Sequence, residues 1–285
     1  MTKAILFDSV LCIGCGACSA GCKEIHNLGG EVNPSDLDGE TFTIVQPYQE
    51  IFVRKFCRHC LNPACASACP VGALKKTQAG PVIYDPNKCI GCRYCFIACP
   101  YQIPRYQWQS NFPQVRKCDF CVHLLEKGEE PACARVCPTG ATSFGEREEK
   151  LKIAQERILQ NPRHYFPKIF GEKEVGGSSV LFIADRDLNK LNLDLPKITR
   201  ALPEMSAPAM KSVLPSAIGL GAIFTGLWWI FRRKQKVISE KSRPELKVSP
   251  AKLKLNSFRS IIISIFLGLI FLIGIYASWI RFTKG

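Results

Sequence analysis

Apolar positions within residues 2–10 predict a short strand running straight into the first cysteine, Cys12. From Cys12 to Cys137 cysteines break every longer pattern, separated by strand-like pieces such as residues 80–84 and turn signals such as Asp85-Pro86-Asn87. Over residues 146–160 the apolar positions Leu151, Ala154, Ile158 and Leu159 gather on one side, which predicts a helix that Pro162 ends. A Gly176-Gly177 turn then leads into an apolar strand at 180–184, and residues 196–211, with three prolines, read as a linker.

Two apolar runs close the pattern. Residues 212–231 and 260–280 carry no charge over about 20 residues each, the length that matches a bilayer's hydrocarbon core. Core helices of a soluble domain are the alternative, but charge-free runs of this length are rare there. Trp228-Trp229 before Arg232-Arg233, and Tyr276 and Trp279 before Arg281, have the order of an interfacial belt, so both runs are expected to span. Ala217, Gly221, Ala222 and Gly226 offer a weak small-residue stripe for helix packing.

Charge changes the picture next. The formal net charge of +14 is concentrated in residues 212–285, which hold +10 and leave +4 for residues 1–211. Ten Lys/Arg fall in 232–259, against Lys197, Arg200 and Lys211 before the first run and Arg281 and Lys284 after the second. The positive-inside rule puts the 232–259 loop in the cytoplasm and both termini on the outer face. No twin-arginine or apolar signal core is visible ahead of Cys12, so export would require a signal-bearing partner. A cytoplasmic domain is the alternative.

Sixteen cysteines in 285 residues must organise the fold, as disulfides, zinc sites or iron–sulfur clusters. They form four motifs: Cys12-x2-Cys15-x2-Cys18-x3-Cys22, Cys57-x2-Cys60-x4-Cys65-x3-Cys69-Pro70, Cys89-x2-Cys92-x2-Cys95-x3-Cys99-Pro100 and Cys118-x2-Cys121-x11-Cys133-x3-Cys137-Pro138. The third is the bacterial ferredoxin run; the first has Lys23 in place of proline, and the second and fourth stretch one gap. Two-residue gaps let a tight loop, eased by Gly14, Gly16 and Gly91, put three thiolates on three corners of one cubane. After the three-residue gap the chain is leaving that cube, so the fourth cysteine reaches a neighbouring cluster.

The adjacent second and third motifs pair as Cys57, Cys60, Cys65 with Cys99, and Cys89, Cys92, Cys95 with Cys69. By elimination the others pair as Cys12, Cys15, Cys18 with Cys137, and Cys118, Cys121, Cys133 with Cys22. Zinc would not need the repeated x3-Cys-Pro ending, and close triplets bridge poorly as disulfides. Four 4Fe–4S clusters of about −2 each would turn residues 1–211 mildly acidic, which removes the electrostatic case for nucleic acid as a partner.

These motifs, with Lys117-Cys-Asp-Phe-Cys121, Cys133-Ala-Arg-Val-Cys-Pro-Thr-Gly140 and Gly171-Glu-Lys-Glu-Val-Gly-Gly-Ser-Ser179, make residues 1–200 resemble the iron–sulfur (beta) subunits of membrane-bound respiratory oxidoreductases. The resemblance is to the periplasmic NiFe-hydrogenase and formate dehydrogenase N types. It implies crossed ligation, a catalytic subunit of a hydrogenase or molybdopterin oxidoreductase as one partner, and an integral membrane partner handling quinone or haem as the other. The expected architecture is α+β: two interleaved bacterial-ferredoxin-like 4Fe–4S units over 1–195, a linker at 196–211, transmembrane helices at 212–231 and 260–280 in contact with membrane lipid, and the basic loop 232–259 between them.

The expected role is electron transfer without catalysis, since sixteen ligands for four clusters leave no open iron. A purely structural platform is the rival class. His26, His59, His123 and His164 all lie outside the apolar runs, so this chain would not ligate a haem within the bilayer. His59, between Cys57 and Cys60, is expected to be exposed and structurally neutral, with a hydrogen bond on the cluster side as the alternative. Phe56, Phe96, Tyr101 and Phe120 are expected to shield clusters from water. No nucleotide fingerprint, nucleophile–base pair, or molybdenum or nickel site is visible.

Overall fold

In this computed structural model the described residues are 2–191, 196 and 198–241. Nine strands are present among them: β1 (Lys3–Asp8), β2 (Thr43–Tyr48), β3 (Ile51–Phe56), β4 (Leu74–Lys76), β5 (Val82–Tyr84), β6 (Arg105–Tyr106), β7 (Val115–Arg116), β8 (Thr142–Glu146) and β9 (Val180–Ile183). The helices are α1 (Ala17–Ile25), α2 (Ala64–Ser67), α3 (Tyr94–Ala98), α4 (Val122–Leu125), α5 (Ala132–Arg135), α6 (Arg147–Gln160) and α7 (Leu202–Lys241).

The expected N-terminal strand is the middle of a three-stranded sheet ordered β8-β1-β9, antiparallel to β8 and parallel to β9. Its side chains alternate between two apolar layers, as the pleat requires. Leu6, with Leu181 and Ile183, packs under Ala154, Leu151 and Ile158 of α6, so three positions of the expected stripe face the sheet, while the fourth, Leu159, is 78% exposed. Ile5 and Phe7, with Val180 and Phe182, point the other way, towards Phe56, Phe120, Cys18 and Cys133. One face of the sheet therefore carries a helix and the other carries the cysteine region. At the end of β1 the Asp8 carboxylate is fully buried and accepts from Arg157 Nη1 at 2.8 Å, the Tyr165 hydroxyl at 2.9 Å and the Val10 N–H at 3.0 Å.

Short helices mark the cysteine motifs. α1, α2, α3 and α5 each hold a third cysteine: Cys18, Cys65, Cys95 and Cys133. They pack in two pairs, α1 with α5 and α2 with α3. Gly21 permits the first approach, because a Cβ there would lie 3.0 Å from Val136 Cγ2. Gly14 is constrained twice: its φ is +71°, and a Cβ would lie 2.3 Å from the Phe52 ring.

The chain divides into two compact units, Met1–Leu214 and Pro215–Gly285. The span expected to be a linker is only partly one, because α7 starts at Leu202 and continues through 212–231 into the first ten residues of the basic loop. The physical reason lies at its start: Pro203 occupies the first turn, where no N–H donor is needed. Ile198 and Leu202 pack on the Tyr101, Ile103 and Val175 cluster, which fixes this stretch against the first unit. Among the described residues, Leu202–Ile238 is long and apolar enough to cross a membrane. Arg232 and Arg233 lie over the Trp228 and Trp229 rings at 4.8 and 5.3 Å, an arrangement suited to a headgroup boundary. The second apolar run, 260–280, and the rest of the basic loop lie outside the described residues.

Candidate metal centres

All sixteen cysteines are free thiols, so no disulfide competes for them. Four sets of thiols can be traced from the charges each one feels. Cys12 is pushed up by burial and by Cys18, Cys137 and Cys15. Cys22 is pushed up by burial and by Cys133 and Cys121, and Cys118 by burial and then Cys22 among others. Cys60 is pushed up by burial and by Cys57, Cys99 and Cys65. Cys95 is raised to about 11 by burial, Cys89, Cys69 and Cys92. Each set takes three cysteines from one motif and one from another, and the helix pairs α1/α5 and α2/α3 are what bring them together.

The sets also follow one another. Cys133 feels Cys18 of the first set, Cys118 feels Cys57 of the third, and Cys65, held at about 12 mainly by burial, feels Cys95 of the fourth. Cys15, in the first set, and Cys92, in the fourth, are exposed, so the series is open at both ends.

The surroundings suit cubane clusters. Backbone N–H groups donate to sulfur from Ala73 to Cys69 at 3.2 Å, Thr142 to Cys137 at 3.4 Å, Phe120 to Cys118 at 3.4 Å and Gly91 to Cys89 at 3.5 Å. For Cys69 and Cys137 burial opposes ionisation, but these and neighbouring N–H donors outweigh it and lower the thiol pKa. Both sit in the same local sequence, Cys-Pro-x-Gly-Ala, a repeat within the chain that explains the shared loop.

Cations face the thiolates, Lys76 half-buried and Lys117 and Arg54 buried. Lys76 Nζ donates to the His59 carbonyl at 2.8 Å, and burial lowers its pKa to about 8 while Cys60 and Cys57 pull it up. Lys117, 6% exposed, donates to the carbonyls of Val82 and Cys118. Arg54, 1% exposed, feels the charges of Cys133 and Cys18. Isolated charges at such depth would be costly, and thiolate-ligated clusters supply the compensating charge. Sequence reading passed over these cations. For Arg54 the signal was a basic residue inside the apolar strand β3.

His59 corrects an expectation. It is fully buried, because β5 and Phe120 cover it: Nδ1 accepts from Val82 N–H at 2.9 Å and the ring meets Phe120 at 4.6 Å. Burial and the nearby Lys117 and Lys76 hold its pKa well below the usual value, so the ring is neutral and Nε2 carries the proton. That N–H has no partner among the described residues. Phe56, Phe120 and Tyr101 are buried as expected of shields, whereas Phe96 is 47% exposed.

His26 was also missed as a neighbour of the thiols. Its Nε2 lies 3.3 Å from Asp119 and 3.6 Å from Cys121 Sγ. Burial opposes its charge, but the bonds to Asp119 and Cys121 prevail and raise it to about 9.

Comparison with known proteins agrees with this chemistry. Residues 48–147 match the model of the 4Fe–4S dicluster domain family. A Nitratidesulfovibrio vulgaris protein is 34% identical over 265 residues, covering 87% of this chain and 71% of its own. The hydrogenase-2 operon protein HybA of Escherichia coli is 35% identical over 81% of this chain and 84% of its own. The iron–sulfur subunit of the nitrate-inducible formate dehydrogenase of Escherichia coli is 34% identical over 79% of this chain and 82% of its own. The chain binds multiple 4Fe–4S clusters and belongs to the iron–sulfur (beta) subunits of membrane-bound respiratory oxidoreductases, a ferredoxin-like family of electron-transfer proteins.

Proposed function

We propose that this chain is a non-catalytic relay holding four 4Fe–4S clusters. The first is held by Cys12, Cys15, Cys18 and Cys137, the second by Cys118, Cys121, Cys133 and Cys22, the third by Cys57, Cys60, Cys65 and Cys99, and the fourth by Cys89, Cys92, Cys95 and Cys69. The observation that carries this reading is the unbroken succession of thiol sets, open at Cys15 and at Cys92. The bound clusters supply one-electron redox chemistry. The chain's own residues do the rest: thiolates bind, the faces of Phe56 and Phe120 exclude water, and Lys76, Lys117 and Arg54 offset charge.

Electrons enter at one open end from a catalytic subunit and leave at the other towards an integral membrane partner. The catalytic subunit is read as a hydrogenase, which the likeness to HybA supports. A molybdopterin enzyme is the second reading, supported by the nearly equal likeness to the formate dehydrogenase subunit. Metal analysis of the complex, extracted gently and without oxygen, separates them: nickel supports the first, molybdenum or tungsten without nickel the second. Iron and acid-labile sulfide near zero would overturn the relay itself.

The chain is membrane-associated through its apolar helix. We place the cluster domain on the outer face, because the basic positions after residue 231 belong on the inner one. Protease treatment of intact spheroplasts should then cleave the N-terminal domain; its survival would favour the cytoplasmic side.

A further inference from the structure

β3 carries a cation inward at Arg54, although its neighbours Val53 and Phe56 belong to the apolar layer. The guanidinium is held on every side. Nε donates to Thr43 Oγ1 at 2.8 Å, Nη1 donates to Thr142 Oγ1 at 3.4 Å, and the Phe56 ring centroid lies 4.1 Å beneath it. Thr142 in turn donates its backbone N–H to Cys137 Sγ at 3.4 Å. Phe56, on which the guanidinium lies, shares one apolar layer with Cys18 and Cys133, and the charges of Cys133, Cys18 and Cys118 act on Arg54. Cys137 and Cys18 belong to one thiol set, and Cys133 and Cys118 to the next.

We propose that Arg54 is a shared positive charge set between the first two clusters, where it favours the reduced form of both. The inference rests on the ligand assignment above. Adding an electron to a cluster adds negative charge, so a fixed cation beside the ligand sulfurs makes reduction easier. Arginine keeps its proton at any working pH and is held too deep for salt to screen, so its effect is constant. The third set faces different cations, Lys76, Lys117 and Arg58. The influence of Arg54 is therefore local to the first two sets. It acts through the ligand sulfurs and is a positioning residue for charge.

The test is a potentiometric titration, followed by electron paramagnetic resonance, of the full complex purified with wild-type chain, Arg54→Lys and Arg54→Met. Full iron and four reducible clusters in the wild type test the four-cluster reading separately. With Arg54→Met, two of the four clusters should become at least tenfold harder to reduce, about 59 mV for a one-electron couple. Arg54→Lys should keep most of the wild-type value, and the other two clusters should move less than twofold. Unchanged potentials in Arg54→Met, or an equal shift in all four clusters, would overturn the proposal. Wild-type protein labelled with 15N in its arginine guanidinium groups provides a readout that needs no altered chain. Its reduced second cluster should show a nitrogen hyperfine coupling, and absence of that coupling would overturn the proposal even if Arg54→Met failed to assemble.

Discussion

Asp8 is a fully buried carboxylate that, among the described residues, accepts from Arg157, Tyr165 and Val10. Removing the cation should therefore hurt more than neutralising the anion. Arg157→Ala is expected to cost about 2 kcal/mol, because it strands the buried charge, whereas Asp8→Asn should cost about 1 kcal/mol. Anaerobic thermal scans at one fixed heating rate should rank the two variants in that order. At Gly14 two constraints coincide, so Gly14→Ala is expected to lose about four irons per chain, one cluster's worth. Phe52→Ala in the same chain should restore only part of that iron, since it removes the clash and leaves the φ strain. Cysteine positions were legible in the sequence because spacing is itself the chemistry. Arg54 and His59 were not, because their burial depends on strands that pair across long stretches of chain: β2 with β3 around Arg54, and β5 over His59.

Elements were legible where one face of a local pattern suffices. The β1 strand matches its apolar run, and α6 matches at Leu151, Ala154 and Ile158, which face the sheet, while Leu159 turns to solvent. The start of α7 was not, because prolines in sequence say where a helix is hindered and not where packing overrules them. Helix pairing is also invisible to spacing alone. The approach of α1 to α5 depends on Gly21 facing Val136, so Gly21→Leu should destabilise by about 2 kcal/mol through overpacking. Adding Val136→Ala should recover part of that loss, measured as anaerobic unfolding temperature against each single variant.

For the whole molecule, the clusters and the fold are expected to depend on each other. The apolar layer behind β1 includes Cys18 and Cys133, so the ligands are part of the core and not attachments to it. Chelating the iron under reducing conditions should abolish the strand and helix signal in circular dichroism together, and reconstitution should restore both. Division of the chain at Leu214 predicts a separable anchor. Ending the chain there should move it to the soluble fraction with its iron content unchanged, as read by fractionation and iron assay.

The nesting of the thiol sets has a consequence for how the protein is made. Cys57 and Cys99 are close in sequence and meet in one set, while Cys12 waits for Cys137. β1 likewise waits for β8 and β9. At about 5–20 residues per second on the ribosome, the N-terminal strand and its three thiols stay unmatched for seconds while the inner pair of sets can already close. Maturation should therefore run from the middle of the chain outwards. Released chains ending between residues 110 and 117 should accept iron only at the inner sets, leaving the N-terminal cysteines open to alkylation.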